Sequence, residues 1–370
     1  MRDIKGFLVT LFILISFILA ALTVMADAEG RLALSARSSV LYSPQTDTFI
    51  FESDPNERLP MASTTKIMTA LIAIETLDPD EMISVADEAV GIEGSSIYLK
   101  YGDKLTARDL IYSVMLSSAN DAAAALAIHI AGSTESFAEL MNERAMRIGL
   151  TDTLFNNPHG LDHSEHYTTA HDLALIASEA IKNPIFKSVC STYKYSFYIG
   201  DALRTVVNHN KLLKQYDGAF GVKTGYTKKC GRCLVSAAEK DGVTLIAVTL
   251  NAPDDWRDHT SLLDYGFSRL KAVKLSSICD INYKCSVLGG EKDHILAGCD
   301  DENIVGYEND SFTCSTELPR YIARRIDEGE ALGRILVYKN NELYKTIELK
   351  ALESVSTKKQ KKFSLFQEKD

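Results

Sequence analysis

One lysine stands within a run of small and apolar residues, LPMASTTKIMTALIA, at positions 59–73. Over positions 67–74 every face of a helix would be apolar or nearly so, which is typical of a helix enclosed by the rest of its domain. An ammonium group is costly to bury, so Lys66 needs a chemical reason to be there. On a helix that begins near Ser63, the Ser63 hydroxyl and the Lys66 amine share a face and can meet.

Burial supplies that reason, because it lowers the pKa of a lysine. A lysine held partly neutral can take the proton of a serine hydroxyl and make it a nucleophile. The pair alone is weak evidence, since Ser-x-x-Lys is frequent by chance and a serine at a helix start is commonly a cap.

Two further groups of residues strengthen the interpretation. Ser118-Ala119-Asn120 falls in a short break between helical patterns, and Asp121 is expected to cap the next helix. Lys223-Thr224-Gly225 lies on the strand pattern GAFGVKTGYT, where the glycine indicates close approach of a ligand or another backbone. A Lys-Thr pair beside that glycine could bind a carboxylate.

The set Ser63-x-x-Lys66, Ser118-x-Asn120 and Lys223-Thr224-Gly225 resembles the motifs of the penicillin-recognising serine enzymes. The surrounding segments are similar in particular to the low-molecular-weight D-alanyl-D-alanine carboxypeptidases. They read RLPMASTTKIMTALIA, GSSIYLKYGDKLTARDLIYSVMLSSANDAAAALA, NNPHGLDHSEHYTTAHDLALIA and GVKTGYT. The resemblance covers about residues 30–270 closely and the region to about 350 more loosely.

The resemblance implies both a fold and a reaction. The fold class would be α/β (α+β), a serine β-lactamase/transpeptidase-like domain with an antiparallel sheet and a helical body, followed by a small β-rich domain. Ser63 would attack the carbonyl of the penultimate D-alanine and form an acyl-enzyme that water hydrolyses. Lys66 would be its base, and Ser118 would relay a proton toward the leaving nitrogen.

The remaining positions of the motifs would bind the substrate. By the same resemblance, Asn120 would hydrogen-bond the substrate amide, and Thr224 would bind the terminal carboxylate. Lys223 would add positive potential, and the two ammonium groups would lower each other's pKa, so that Lys66 is neutral while Lys223 stays charged. The backbone N–H groups of Ser63 and Tyr226, the residue after Gly225, would hold the oxyanion.

Two other functions share part of this signature. A β-lactamase has the same three motifs but also a glutamate for deacylation, in a Glu-x-x-Leu-Asn setting. Glu165 lies in the corresponding interval without that setting, so slow deacylation and inhibition by penicillins are expected. A protein that only binds peptidoglycan would have lost a catalytic group, and here every group is present.

No cofactor or metal is needed for this chemistry. His159, His163, His166 and His171 match no metal-binding spacing and are expected to be structural. The segment Asn208-His209-Asn210 departs from the family, in which Asn-Arg-Asn or Asn-Thr-Asn is common. Whether an extra cation helps to bind the carboxylate is therefore left open.

The seven cysteines leave at least one unpaired. The sequence is compatible with free thiols or with disulfides, and it does not give the connectivity. Cys230 and Cys233 have a metal-like or redox-like spacing, but there is no second Cys-x-x-Cys. They lie a few residues after Tyr226, so a redox influence on activity is a hypothesis.

The chain divides by pattern into four parts. Residues 1–28 read as a secretory signal, with a membrane anchor as the alternative. The catalytic domain is expected at 29–270, with helices at 63–77, 107–117, 122–131, 134–148, 170–181 and 256–270. A β-rich domain is expected at 271–352, with a hairpin at Asn340-Asn341. The polar, basic tail at 353–370 is either solvated or an anchor to anionic lipid.

The expected partners follow from this location and from the net charge of −10. Such a charge argues against a nucleic-acid partner. The chain is expected to be exported and to act in the cell wall or at the outer face of the cytoplasmic membrane. Its partners there would be peptidoglycan stem peptides and inhibitory β-lactams, with membrane contact possible through either end.

Overall fold

The computed structural model describes residues 32–356. The expected signal at 1–28 and positions 357–370 of the expected tail lie outside the described residues. None of the helices within residues 32–356 is long and apolar enough to cross a membrane.

The helices of the described part follow one another closely along the middle of the chain. A 3-10 turn, Ala62–Thr65, leads directly into the first helix. In chain order they are α1 (Lys66–Thr76), α2 (Ala107–Leu116), α3 (Asn120–Ala131), α4 (Thr134–Ile148), α5 (Ala170–Lys182), α6 (Pro184–Ser191), α7 (Leu212–Gln215) and α8 (Asp255–Phe267).

The strands precede, interrupt and follow this helical region in the sequence. They are β1 (Ser38–Ser43), β2 (Thr48–Ser53), β3 (Met82–Ser84), β4 (Lys104–Thr106), β5 (Lys194–Ile199), β6 (Ala202–Val207), β7 (Ala219–Thr227), β8 (Gly231–Lys240), β9 (Val243–Leu250), β10 (Leu270–Lys274), β11 (Asn282–Val287), β12 (His294–Gly298), β13 (Asn303–Tyr307), β14 (Phe312–Glu317), β15 (Tyr321–Ile322), β16 (Ala331–Lys339) and β17 (Glu342–Ala351).

The chain forms two compact units. The first holds residues 32–41, 49–237 and 246–264, and the second holds 42–48, 238–245 and 265–356. A five-stranded sheet has the order β2-β1-β9-β8-β7, so strands from both ends of the expected catalytic domain meet, and β7 lies at an edge. The division falls at 264–265, and the expected boundaries at 270 and 352 stay predictions.

The second unit is β-rich, as the sequence indicated. Its six-stranded sheet has the order β14-β16-β17-β12-β11-β15, and β10 pairs with β13. Ile295, Ile335, Val337 and Leu349 are fully buried in its core. The turn between β16 and β17 has positive φ at both Asn340 and Asn341, which confirms the expected hairpin. Together with the first unit, this confirms the expected fold class.

Helix α1 lies at the centre of the helical body, packed against α2, α3 and α5. All of its side chains from Lys66 to Ala73 are buried. This explains the unbroken apolar pattern, because a helix surrounded on all sides has no polar face.

Several expected helix boundaries differ from the structure. Ser63 lies in the 3-10 turn Ala62–Thr65 rather than on α1, and α8 and α3 also differ. Helix α8 ends at Phe267 rather than 270, because Leu270 pairs with Tyr307 as the first residue of β10. Helix α3 begins at Asn120 rather than at 122, and its N-cap is Ala119.

Candidate active site

The nucleophile turn, Ala62–Thr65, presents Ser63 between the sheet and α1. The turn is held by its own side chains. Thr64 Oγ1 donates to the Met61 oxygen at 2.6 Å, and Thr65 Oγ1 donates to the Ala62 oxygen at 2.7 Å. Ala62 itself has a φ of 46°, a conformation that needs such support.

That support continues into the segment with the histidines. His166 Nδ1 accepts from the Asn156 N–H at 3.0 Å, so its proton is on Nε2, which donates to Thr65 Oγ1 at 2.7 Å. Burial lowers the pKa of His166 to about 4, and the ring is neutral at pH 7. Gly160 lies against the same turn, where a Cβ would come 1.9 Å from the Ala62 oxygen. His166 therefore has a structural role.

Lys66 is fully buried, and its Nζ has three oxygen partners. It lies 3.0 Å from Ser63 Oγ and 2.6 Å from Asn120 Oδ1, and it also bonds the backbone oxygen of His159. A neutral amine has two N–H groups and one lone pair. The Asn120 Oδ1 and the His159 oxygen can accept hydrogen bonds from these two N–H groups. The lone pair is then directed at the Ser63 hydroxyl.

Burial also sets the protonation of this amine. The pKa of Lys66 is well below its ordinary value, mainly because of desolvation and then because of the Lys223 charge, although Asp121 opposes the shift. Desolvation also lowers the pKa of Lys223, to about 7. The direction of the Lys66 shift favours the neutral amine that was expected. Lys223 differs from expectation, since it is only partly charged at neutral pH.

Ser118 lies in the break between α2 and α3, with a φ of 61°. A positive φ is uncommon for serine and is kept only where the surroundings hold it. Its Oγ is buried and has no hydrogen-bond partner within residues 32–356. The hydroxyl is thus available to a substrate atom, and the residue lines the same pocket as Ser63.

Asn120 and Asp121 begin α3 and have different tasks. Asn120 Oδ1 accepts from Lys66, and its Nδ2 donates to the Glu93 oxygen at 2.6 Å. Both polar ends are therefore already engaged in placing Lys66, and the expected contact with the substrate amide stays a prediction. The sequence suggested that Asp121 caps α3, but the N-cap of this helix is Ala119. The Asp121 carboxylate accepts from Ser96 Oγ at 2.6 Å and from the Leu99 N–H at 3.0 Å.

Strand β7 brings the third motif beside the nucleophile turn. At Gly225 a Cβ would lie 3.1 Å from both the Ser63 nitrogen and the Met61 oxygen, so a larger residue would have to displace the nucleophile turn slightly. Lys223 is buried, and its Nζ donates to the Thr224 oxygen at 3.0 Å. Thr224 and the exposed Tyr226 face the pocket.

These residues surround one pocket of about 630 Å³ in the first unit. Glu165 is exposed and is not among the lining residues, whose one carboxylate is Asp255. The lining includes residues that the sequence gave no reason to choose. The full lining is Ser63, Ser95, Ser118, Asn208, His209, Lys211, Thr224, Gly225, Tyr226, Arg232, Asp255 and Trp256.

All seven cysteines are free. The Cys230 and Cys233 sulfurs lie 3.8 Å apart, and both residues are buried at the beginning of β8. In the part of the chain that the structure describes, no group of three or more His, Cys, Asp or Glu residues could hold a metal ion.

Four features of this site together define a class of protein. They are a nucleophilic serine, a buried lysine whose amine contacts it, a second serine whose hydroxyl has no partner within residues 32–356, and a strand beside the nucleophile's N–H. It is the class of penicillin-recognising serine enzymes, which work by acyl transfer. Residues 23–254 match the family described as D-alanyl-D-alanine carboxypeptidase, peptidase S11. The chain belongs to this family.

Individual relatives agree with that assignment. D-alanyl-D-alanine carboxypeptidase DacF of Bacillus subtilis is 32% identical over 356 residues, which are 92% of this chain and 92% of that protein. A D-alanyl-D-alanine carboxypeptidase of a Streptomyces species is 36% identical over 264 residues, or 66% of this chain and 91% of that protein.

Solved structures show the same architecture. Penicillin-binding protein 5 of Haemophilus influenzae has a TM-score of 0.66 at 25% identity, covering 88% of this chain and 99% of that chain. A peptidoglycan synthesis regulatory factor, PBP3, of Streptococcus pneumoniae has a TM-score of 0.73 over 88% of this chain and 100% of that chain. At 23% identity it shows the fold alone.

Proposed function

We propose that the pocket around Ser63 carries out serine-type D-alanyl-D-alanine carboxypeptidase chemistry through the residues that the motifs indicate. Lys66 takes the Ser63 proton as Ser63 Oγ attacks the carbonyl carbon of the penultimate D-alanine. The N–H groups of Ser63 and Tyr226 stabilise the oxyanion. Collapse of this intermediate breaks the peptide bond, releases the terminal D-alanine and leaves an acyl-enzyme that water hydrolyses.

The other pocket residues serve the departure and binding of the terminal D-alanine. The unpartnered Ser118 hydroxyl donates its proton to the leaving nitrogen, which departs as an amine, and takes in exchange the proton that Lys66 removed from Ser63. Asn120 fixes Lys66 through its Oδ1, and the second N–H of its Nδ2 is donated to the substrate. Thr224 binds the terminal carboxylate, and the protonated fraction of Lys223 adds positive potential.

The observation that carries this proposal is the environment of Lys66. Its amine contacts the Ser63 hydroxyl and two carbonyl-type oxygens and, within residues 32–356, has no carboxylate partner. A carboxylate would hold the ammonium form, which cannot accept a proton. The arrangement instead suits a neutral base.

We also propose that the chain acts outside the cytoplasm, on stem peptides of peptidoglycan, and that penicillins acylate Ser63. The support is the export-type N-terminal sequence together with the family's substrate, which is a cell-wall peptide. Attachment to a membrane surface through either end remains part of this proposal.

A peptide ending in D-alanyl-D-alanine tests the reaction directly, with free D-alanine as the measured product. We expect release by the wild type and none above background by Ser63→Ala. Ser286→Ala, at an exposed position on β11 in the second unit, should retain wild-type release. Release that survives in Ser63→Ala would contradict the proposal.

A fluorescent penicillin separates this reading from a β-lactamase. The wild type should acquire a fluorescent label that Ser63→Ala does not acquire. The label should be stable because Glu165, the glutamate in the corresponding interval of the sequence, does not line the pocket. Fast disappearance of penicillin, with little protein labelled at any time, would favour β-lactamase activity.

A further inference from the structure

One wall of the pocket has no part in the reaction described so far. It consists of Lys211, Arg232, Asp255 and Trp256, here called the basic wall, and it lines the same pocket as Ser63 and Thr224. Two of its side chains are cations and one is a carboxylate. The wall therefore presents positive charge to whatever the pocket binds.

Arg232 is fixed in this wall at one edge of its guanidinium group. Its Nε donates to Asp255 Oδ1 at 3.0 Å, and the same oxygen accepts the Trp256 N–H at 3.0 Å. The Asp255 side chain is 4% exposed, whereas that of Arg232 is 43% exposed. Within residues 32–356 neither Nη of Arg232 has a hydrogen-bond partner, so the free edge offers donors to a ligand.

Trp256 restricts both cations of the wall. The Arg232 guanidinium carbon and the Lys211 Nζ each lie 5.9 Å from the centroid of its ring. A guanidinium group held by a carboxylate and an aromatic ring loses little further freedom when it binds a second carboxylate. The wall is therefore ordered before any ligand arrives.

The other candidate cations of the pocket are less suited to bind an anion. Desolvation and the Lys223 charge lower the pKa of His209, so its ring is neutral at pH 7. Lys66 and Lys223 are buried beneath the pocket surface, where they serve the nucleophile. Arg232 lines the pocket, and its hydrogen bond to Asp255 gives the guanidinium group a fixed direction.

We propose that Arg232 recognises the terminal carboxylate of the substrate, donating hydrogen bonds from its Nη atoms beside Thr224. Asp255 and Trp256 are positioning residues for this contact. Arg232 thereby supplies the extra cation that His209 does not provide. This inference rests on the proposed carboxypeptidase function, and it assigns the specificity for a free carboxyl terminus to β8.

The test compares two substrates that differ only at the terminus, one ending in D-alanyl-D-alanine and one in its carboxamide. For Arg232→Gln we expect kcat/KM on the carboxylate substrate to fall about 10- to 100-fold, the usual range for a lost hydrogen bond to a charged group. The loss should lie mainly in KM, and the carboxamide substrate should be affected little. Arg232→Lys should restore part of the preference, and Asp255→Asn should lose part of it.

A matched variant controls for charge. Lys229→Gln removes one positive charge three residues from Arg232 at an exposed position outside the pocket lining, and it should keep the wild-type preference. Equal losses on both substrates for Arg232→Gln, or no loss on either, would overturn the assignment. Penicillin labelling of Arg232→Gln shows that Ser63 is still functional. If the wild type itself released no D-alanine, the proposed function would fail instead.

Discussion

At the scale of single residues, two buried lysines divide the labour of the site. Lys66 is useful when neutral, and Lys223 is useful when charged. Desolvation lowers the pKa of both, but that of Lys223 lies near 7. The pH range in which Lys66 is neutral while Lys223 is charged is therefore limited.

This overlap predicts a pH profile for kcat/KM. The rate should rise with pH as Lys66 loses its proton, and it should fall as pH passes through about 7, because Lys223 then loses its charge. Lys223→Arg keeps the charge at high pH, so the falling limb should disappear, although the maximum rate is lower because the fit changes. A falling limb that persists unchanged in Lys223→Arg would assign it to another group.

A second residue-scale prediction concerns Gly160, which has a φ of +90° and no room for a Cβ beside the Ala62 oxygen. Gly149 has a φ of +92° but open space around it. Gly149→Ala should cost about 1 kcal/mol of stability from backbone strain alone and leave kcat nearly unchanged. Gly160→Ala should also displace the nucleophile turn and lower kcat about a hundredfold or more. Equal kcat values in the two variants would contradict this.

At the scale of elements, the β7–β8 hairpin joins substrate binding to a pair of thiols. Strand β7 carries Thr224 and Tyr226, and β8 begins with Cys230 nearby and carries Arg232. The Cys233 sulfur also lies 3.8 Å from the oxygen of Pro60, three residues before Ser63. A change at the thiol pair can therefore act both on the β7–β8 hairpin and on the segment that leads to Ser63.

We expect oxidation of this pair to lower kcat. A small-molecule disulfide would accept the two electrons, so that Cys230 and Cys233 form one S–S bond and two small thiols are released. Closing this bond pulls the turn together next to Tyr226, whose N–H is the proposed oxyanion donor. Rates before and after mild reduction, with Cys230→Ser as the insensitive control, measure the effect. Identical rates in both states of the wild type would rule it out.

At the scale of the whole molecule, the two units differ in how they respond to acid. The first unit buries three histidines whose pKa values are lowered by desolvation, His159 to about 3, His166 to about 4 and His259 to about 3. His259 lies between Ser236 Oγ and Thr249 Oγ1, the latter at 2.9 Å. In the second unit, the one histidine within the described residues, His294, is exposed.

Each of these histidines binds a proton more readily when the chain is unfolded. Stability is therefore present above the unfolded pKa of about 6.5 and is lost as pH falls below it. At pH 5 the first unit should lose roughly 2 kcal/mol per buried histidine. Trp256 is the only tryptophan and lies in this unit, so its fluorescence during urea unfolding at pH 7 and pH 5 reports the change.

His294→Gln serves as the control and should leave this pH dependence as it is in the wild type. His259→Gln should reduce the difference between the two pH values. If unfolding followed by Trp256 were independent of pH between 5 and 7, the buried histidines would have to be charged already in the folded chain.

Part of the structure could be predicted from local sequence. The contact between Ser63 and Lys66 follows from their spacing on a helix, and the burial of α1 follows from its unbroken apolar pattern. The hairpin at Asn340-Asn341 follows from turn residues that tolerate positive φ. These features depend on neighbours a few residues apart, which a sequence displays directly.

Tertiary structure decided the rest, because its causes lie far apart in the chain. Aspartate is a common helix cap, but the Asp121 carboxylate instead accepts hydrogen bonds from N–H groups of the preceding loop. Leu270 continues a helical pattern, yet pairing with Tyr307 makes it a strand. Arg232 stands between two cysteines in the sequence, and only the fold brings Asp255 and Trp256 to its guanidinium group. Sequence by itself determined which groups could react, and long-range packing decided where their protons and charges are held.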